Sequence, residues 1–306
     1  MVKIIATVHS VQQAEQLLHL GVDTLYLGEK NFGLRLPHSF SLCEIEHITK
    51  MAHENNKQVC VAVNGIMHNQ EIEKITPFLQ FLEKIKVDAI TVGDPGVIHL
   101  LKKMNLHIPF IYDAQTLVTS ANQINFWAKR GAVGTVLARE LTYEELRAIS
   151  KQVSIPTEIL VYGPTCIHHS KRPLLQNYFN YTQQDPSHLD KNHLFISEAK
   201  KPETHYAIFE DQHGTHIFAN NDINLLPYVD QLYEAKIHPW KLDGLFVQED
   251  TFVHIVEVFI EAKQALQANR WSDQLKEQLQ QKLLTYHPSE RGLDAGFFTK
   301  DANDIK

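Results

Sequence analysis

The amino-acid sequence predicts an α/β fold: a (β/α)8 TIM-like barrel with a β-hairpin-containing insertion between strands 7 and 8 and a C-terminal helical extension. Three observations support this prediction. Short apolar strands alternate with amphipathic helical stretches, a turn-plus-strand pattern recurs along the chain, and about eight strands can be counted. Eight alternating units favour a closed barrel, and a doubly wound open sheet is the alternative.

The recurring pattern is a turn followed by a short apolar strand. Residues 21–28 resemble residues 86–93, and residues 131–138 and 237–244 are looser copies. Each of the first three copies follows an amphipathic helical stretch. Repeats of this kind are typical of a parallel sheet built from strand–helix crossovers.

The strands and helices can be placed from apolar periodicity and from capping residues. Ser41 with Glu44, and Thr142 with Glu145, have the spacing of a capping box and predict that two helices begin there. The predicted strands cover residues 3–8, 24–28, 58–63, 89–92, 108–112, 135–137, 158–162 and 240–245.

The alternation is interrupted once, between the seventh and eighth strands. Roughly 75 residues separate them, which is too many for one crossover helix. Residues 206–218 have the pattern of a β-hairpin with Gly214 near its turn. The predicted division is therefore a barrel from residues 1–180 and 223–268, an inserted subdomain at 181–222, and a C-terminal extension at 269–306.

Composition indicates a water-soluble protein. The chain has 306 residues, of which 43% are hydrophobic and 21% are charged. The sequence has no apolar run of membrane-spanning length, and its three cysteines lack paired spacing, so we expect a cytoplasmic protein without a disulfide framework. The net charge of −7 disfavours a protein that grips nucleic acid alone, because phosphate binding needs a basic surface.

The segment from residue 158 to residue 178 contains the densest group of reactive side chains. A buried strand is followed within a few residues by Cys166, His168, His169, Lys171 and Arg172. Rigid strands that open into functional loops are how α/β enzymes present their chemistry. This segment is therefore the predicted centre of the site.

Polar residues also follow other predicted strands, at the barrel end where active sites lie. This pattern predicts a pocket for a polar or anionic ligand. The candidate ligand-binding residues are Arg35, Gln115, Arg139, Glu140, Lys171, Arg172 and Asp243. Lys171 and Arg172 have the charge to clamp a carboxylate or phosphate, and a solvated surface pair is the alternative.

Two kinds of catalysis can be considered for the cluster. Cys166 with His168 or His169 has the groups of a thiolate–imidazole pair, and a small buried cysteine at a strand end is the alternative. Together with His213 and His216, these residues also offer metal-binding atoms. The spacing matches no metal motif, so no metal site is predicted. The sequence has no phosphate-binding loop, dinucleotide fingerprint or serine-hydrolase elbow.

The segment at residues 158–179 resembles the signature of the collagenase-like peptidase family, peptidase family U32. That signature runs Glu, apolar residues, an aromatic residue or His, Gly, two residues, Cys, Ser-Gly-Arg-Cys and a close similar to Leu-Leu-x-Asn-Tyr. The resemblance extends in the same order along nearly the whole chain. Its other stretches are residues 23–28, 32–35, 92–96, 137–140, 210–214, 241–244 and 291–296.

The resemblance implies a function in RNA hydroxylation. Members of this family hydroxylate RNA bases, including the prephenate-dependent formation of 5-hydroxyuridine at the tRNA wobble position. By this resemblance Arg35, Arg139, Lys171 and Arg172 would bind prephenate or a similar dicarboxylate, and His168 or His169 would transfer protons. The alternatives are a peptidase, as the family label says, and a non-catalytic scaffold.

The cysteines separate this chain from the relatives that carry an iron–sulfur cluster on four cysteines. Cys166 matches the first of the four, but the second falls at Pro173, and the chain has three cysteines in all. We therefore expect no cluster in this chain, and Cys43 and Cys60 are predicted to be structural. The sequence is similar to the short, cluster-free member that Gram-positive bacteria carry beside a longer one. The resemblance thus implies a longer paralogue as partner, through which tRNA would bind.

Overall fold

The computed structural model of this protein describes residues 2–184 and 194–301, and the centre of the fold is a closed barrel of eight parallel strands. Strands β1 to β7 pair in chain order, and β13 closes the barrel by pairing with both β7 and β1. The strands are β1 Ile4–Thr7, β2 Thr24–Gly28, β3 Gln58–Ala62, β4 Ala89–Val92, β5 Phe110–Tyr112, β6 Ala132–Val136, β7 Thr157–Gly163, β8 Cys166–Ser170, β9 Phe195–Glu198, β10 Lys201–Asp211, β11 Gly214–Phe218, β12 Asn221–Asn224, β13 Trp240–Leu242 and β14 Gly292–Asp294. The predicted TIM-like barrel is confirmed, and the open-sheet alternative is wrong.

Helices follow most barrel strands and cover the outside of the barrel, where the main hydrophobic core lies. Both predicted capping boxes are present, at Ser41 with Glu44 and at Thr142 with Glu145. The helices are α1 Val11–Leu20, α2 Leu42–Glu54, α3 Asn69–Lys84, α4 Pro95–Lys103, α5 Ala121–Ala128, α6 Tyr143–Ser150, α7 Leu174–Thr182, α8 Val229–Glu234, α9 Glu249–Gln267 and α10 Asp273–Tyr286. Among the described residues, none of the helices combines the length and apolarity needed to cross a membrane.

Three barrel strands differ by more than one residue at an end from the predicted bounds. The fifth begins at Phe110 instead of residue 108, because Pro109 has no N–H to donate to a neighbouring strand. The sixth already begins at Ala132, and the eighth ends at Leu242 instead of residue 245. The early end of the eighth strand places Asp243 directly at the rim of the barrel.

A second sheet lies above the barrel and has the order β8-β11-β10-β9. The predicted hairpin is its centre, since β10 and β11 pair antiparallel with Gly214 beside the turn. The sequence predicts a loop from Cys166 to Ser170, and this prediction is wrong. The segment forms β8 and pairs antiparallel with β11.

This second sheet therefore begins at Cys166, inside the range predicted for the barrel. Residues 185–193 of the predicted insertion and 302–306 of the extension lie outside the described residues.

The C-terminal extension returns to the barrel. Helix α10 packs on α9, and β14 pairs with β12, which itself pairs antiparallel with the end of β7. A buried ion pair fixes this return, with Arg291 Nη2 at 2.5 Å from Asp222 Oδ1. The extension therefore supports β7, the strand that leads into the polar segment.

Candidate ligand-binding site

A cavity of about 350 Å³ lies at the carboxyl end of the barrel, beneath the first strand of the second sheet. Loops and strand ends from most of the barrel contribute to its wall. The wall consists of Tyr26, Leu34, Arg35, Asn64, Ile66, Thr91, Asp113, Gln115, Val136, Leu137, Arg139, Glu158, Leu160, Cys166, Ile167, His168, His169, Lys241 and Asp243. A volume of this size suits a small organic ligand.

Most of the predicted site residues meet in this wall. They are Arg35, Gln115, Arg139, Asp243, Cys166, His168 and His169. Glu140, Lys171 and Arg172 are exposed and lie outside it. Lys171 Nζ donates to the backbone carbonyl of Gln212 at 2.9 Å, which holds it against the second sheet. The predicted contact of these three residues with a ligand stays a prediction.

Sequence reasoning missed three residues of the cavity floor. Lys241 and Glu158 form a buried ion pair with 3.6 Å between Nζ and Oε1, and Lys241 Nζ lies 3.0 Å from the centroid of the Tyr26 ring. Burial raises the pKa of Glu158, and the charge of Lys241 opposes this shift. The available signal was a charged residue inside an otherwise apolar strand, which in a barrel points to the interior.

Arg139 and Asp243 are two further charged groups in the wall of the cavity. Arg139 Nη1 donates to the backbone carbonyl of Pro164 at 2.5 Å. Burial lowers the pKa of Arg139, and Asp243 opposes that shift. Burial raises the pKa of Asp243, opposed first by Arg139 and then by Lys241. Each charge thus stabilises the other in a desolvated place.

A ring of hydrogen bonds joins the loops that follow β2, β3 and β5. Asn64 accepts from the backbone N–H of Leu34 at 3.0 Å and donates to Asp113 Oδ2 at 2.8 Å. Asp113 Oδ1 accepts from the backbone N–H of Gln115 at 3.0 Å, and Gln115 Oε1 accepts from Arg35 Nη2. Asn64 and Asp113 are buried, so the ring sets the position of Arg35 at the cavity mouth.

His169 reaches the cavity from the second sheet. Its Nε2 lies 3.0 Å from the carbonyl oxygen of His213, and because a carbonyl can only accept, this nitrogen carries the proton. In the neutral ring Nδ1 is then an acceptor. His169 stacks on His216 at 4.4 Å, and His216 Nε2 lies 3.1 Å from Asp211 Oδ1. Burial lowers the pKa of both imidazoles, which favours their neutral forms.

Cys166 lies between the cavity and a small apolar cluster. Its thiol donates to the backbone carbonyl of His168 at 3.2 Å, and the side chain packs against Phe209, Phe218 and Leu245. Across residues 2–184 and 194–301, no three His, Cys, Asp or Glu side chains come together as metal ligands.

The cysteines do not fit a four-thiolate cluster. Cys43 is exposed on helix α2, Cys60 is buried within strand β3, and Cys166 lies in the second sheet. The whole sequence has three cysteines, one fewer than the four thiolates that such a cluster uses. That this chain binds no cluster stays a prediction.

Comparison with known proteins gives relatives over the whole chain. Residues 9–306 match the sequence model of peptidase family U32. The tRNA hydroxylation protein P2 of Bacillus subtilis is 30% identical over 98% of this chain and 98% of its own length. The tRNA hydroxylation protein P of Escherichia coli is 25% identical over 73% of this chain, which spans 59% of that relative. The solved structure of the U32 peptidase Mk0906 shares the fold, with a TM-score of 0.52 and 14% identity over 79% of this chain and 92% of that one.

Proposed function

Because the chain belongs to peptidase family U32, we propose that it serves in the 5-hydroxylation of the wobble uridine of tRNA, with prephenate or a similar dicarboxylate bound in the barrel cavity. The observation that carries this proposal is the similarity, over 98% of both chains, to a relative named for tRNA hydroxylation. With tRNA as the substrate, we also propose that the protein acts in the cytoplasm.

The cationic groups of the cavity support a dicarboxylate as the ligand. The ammonium group of Lys241 is already paired with Glu158. The cations left to bind a ligand's carboxylates are the guanidinium groups of Arg35 and Arg139, which line the cavity. A guanidinium has five N–H donors in a planar fork that matches a carboxylate, so each has donors to spare. Two such groups in one cavity suit a ligand with two carboxylates.

His169 is the side chain best suited to accept a proton in the cavity. Its Nε2–H donates to the carbonyl of His213, and burial lowers its pKa, so the ring is neutral and its Nδ1 is the proton-accepting atom. A neutral imidazole held in one tautomer has the properties of a general base. We assign it this role, with His216 and Asp211 holding the ring in place through stacking and a hydrogen bond.

The redox step requires chemistry that this chain's three cysteines do not provide. We propose that a longer U32-family paralogue with a complete set of cysteines supplies it. The acidic net charge of −7 is consistent with tRNA binding mainly through that partner. Bacillus subtilis contains a tRNA hydroxylation protein P1 as well as P2, which supports a pair of paralogues acting in one cell.

The peptidase alternative has weaker support from the geometry. A cysteine nucleophile needs a base beside its sulfur. The Cys166 thiol instead donates to the backbone carbonyl of His168. A scaffold without catalysis would not need the two guanidinium groups in the cavity.

The experiment is nucleoside mass spectrometry of tRNA from cells that lack this chain, the longer paralogue, or both. We expect 5-hydroxyuridine derivatives to fall when this chain is absent and to return when its gene is restored. A loss seen only in the double deletion would show that the two chains overlap in function. Unchanged tRNA in the double deletion would contradict the proposal.

A further inference from the structure

Arg35 and Gln115 have an unusual backbone conformation for residues that face a cavity. Their φ angles are 52° and 60°, in the left-handed region that residues other than glycine rarely adopt. In the described part of the chain, the other non-glycine residues with positive φ lie within two residues of a helix end, where this conformation is common. They are Asn56, Lys86, Asn105, Gln183, Lys236 and Asn269.

Arg35 instead lies in the loop after β2, and Gln115 is the first residue of a single 3-10 turn, Gln115–Leu117, after β5. Their side chains meet at the cavity mouth. Arg35 Nη2 donates to Gln115 Oε1. Conformations of this kind cost free energy and persist where the surrounding structure determines them. Here the buried Asn64 and Asp113 do so, since Asn64 holds the backbone beside Arg35 and Asp113 holds the backbone of Gln115.

The partner of Arg35 is a neutral oxygen. A hydrogen bond from a guanidinium to a carboxylate is stronger than one to an amide oxygen, because both partners are then charged. A carboxylate entering the cavity can therefore take the place of Gln115 Oε1 on Arg35. The loops need not move for this exchange, because the bonds of Asn64 and Asp113 to the backbone are separate from it.

We propose that Gln115 is a displaceable latch that holds the Arg35 guanidinium ready and gives way to one carboxylate of the ligand. Asn64 and Asp113 are the positioning residues that keep the two loops facing each other. The inference rests on the proposed function, because it takes a dicarboxylate as the ligand. In this role Gln115 competes with the ligand for Arg35, so Gln115 lowers ligand affinity instead of raising it.

The test is calorimetric titration of the purified full-length chain with prephenate, for the wild type, Gln115→Ala and Gln115→Glu. Gln115→Ala removes the competitor and binds prephenate about tenfold more tightly. Gln115→Glu forms an ion pair with Arg35 and binds about tenfold more weakly. Gln115→Gly, which adopts positive φ without cost, repeats the gain if the alanine variant does not fold. The matched controls are Gln12→Ala and Gln12→Glu, at an exposed position of helix α1, and both leave the affinity unchanged.

A latch predicts that Gln115→Ala and Gln115→Glu change the affinity for prephenate in opposite directions, which distinguishes it from other roles. If Gln115 contacts the ligand or serves only the fold, both substitutions weaken binding, and this result would overturn the latch while leaving the dicarboxylate site intact. If neither the wild type nor any Gln115 variant binds prephenate, the proposed ligand itself is wrong.

The positioning role of Asn64 has a separate test. Asn64→Ala should abolish the gain from Gln115→Ala, because Arg35 is then no longer held at the mouth. A merely structural role would lower stability and preserve that gain.

Discussion

The ammonium group of Lys241 lies 3.6 Å from the carboxylate of Glu158, inside the barrel, with the two side chains 9% and 5% exposed. The residues come from β13 and β7, the two strands whose pairing closes the barrel. The pair forms the floor of the cavity and neutralises two charges that would otherwise be buried alone. Its position links the stability of the barrel to the electrostatics of the site.

Breaking this pair should destabilise the protein strongly. Lys241→Met leaves the Glu158 carboxylate buried without its cation, and we expect the free energy of unfolding to fall by about 3–5 kcal/mol. The double variant Lys241→Met/Glu158→Gln should lose less, because neither charge remains. Urea unfolding measures the free energy of unfolding of both variants. The control is Lys50→Met, because Lys50 forms an exposed ion pair with Glu54. A double variant as unstable as Lys241→Met would contradict the pair's role.

Gly163 is required at the end of β7. Its φ is +124°, and an added Cβ would lie 2.4 Å from the backbone oxygen of Asp243. Gly163→Ala should therefore lower the free energy of unfolding by at least about 2 kcal/mol. Gly134→Ala is the matched control, because the nearest atom to its Cβ is 3.5 Å away, and it should be neutral or slightly stabilising. Equal effects at the two glycines would show that the close approach to Asp243 is not formed.

Acid should destabilise the second sheet through its stacked histidines. Burial lowers the pKa of His169 and His216, so below about pH 6.5 the unfolded chain binds protons before the folded chain does. The free energy of unfolding then falls as the pH drops from 6.5 towards the folded-state pKa. Unfolding at a series of pH values should show a smaller fall in His216→Gln, and an unchanged fall in the exposed control His99→Gln. A His216→Gln curve that parallels the wild type would rule out this linkage.

Arg139 should be needed for dicarboxylate binding. Removing a guanidinium that contacts a carboxylate costs about 1.5–3 kcal/mol, so Arg139→Ala should weaken prephenate binding by more than tenfold. The exposed Arg130 provides the matched control Arg130→Ala, which should bind as the wild type does. Calorimetric titration measures both. Undiminished binding in Arg139→Ala would remove this residue from the ligand site.

The barrel could be predicted because its signals are local. Alternating apolar strands, capping residues such as Ser41 and Thr142, and the recurring turn-plus-strand pattern each depend on neighbours in sequence. The residues that follow strands, such as Arg35 and Arg139, were found for the same reason. A barrel brings strand ends together whatever the details of its register.

The missed features depend on contacts between distant segments. That the inward-facing Glu158 and Lys241 meet each other depends on the register between β7 and β13. His216 reaches His169 through the antiparallel register of β8 and β11, which also turned the expected loop into a strand. The contact of Arg35 with Gln115 needs two left-handed backbone conformations that no residue pattern indicated.

The most direct test of the account is whether the cavity of this chain supports tRNA hydroxylation in cells. The measurement is the amount of 5-hydroxyuridine derivatives in tRNA from the deletion strain, complemented with the wild type, Arg139→Ala or the control Arg130→Ala. We predict that the wild type and Arg130→Ala restore the modification and that Arg139→Ala, present at the same protein level, does not. Full restoration by Arg139→Ala would contradict a ligand-binding function of the cavity.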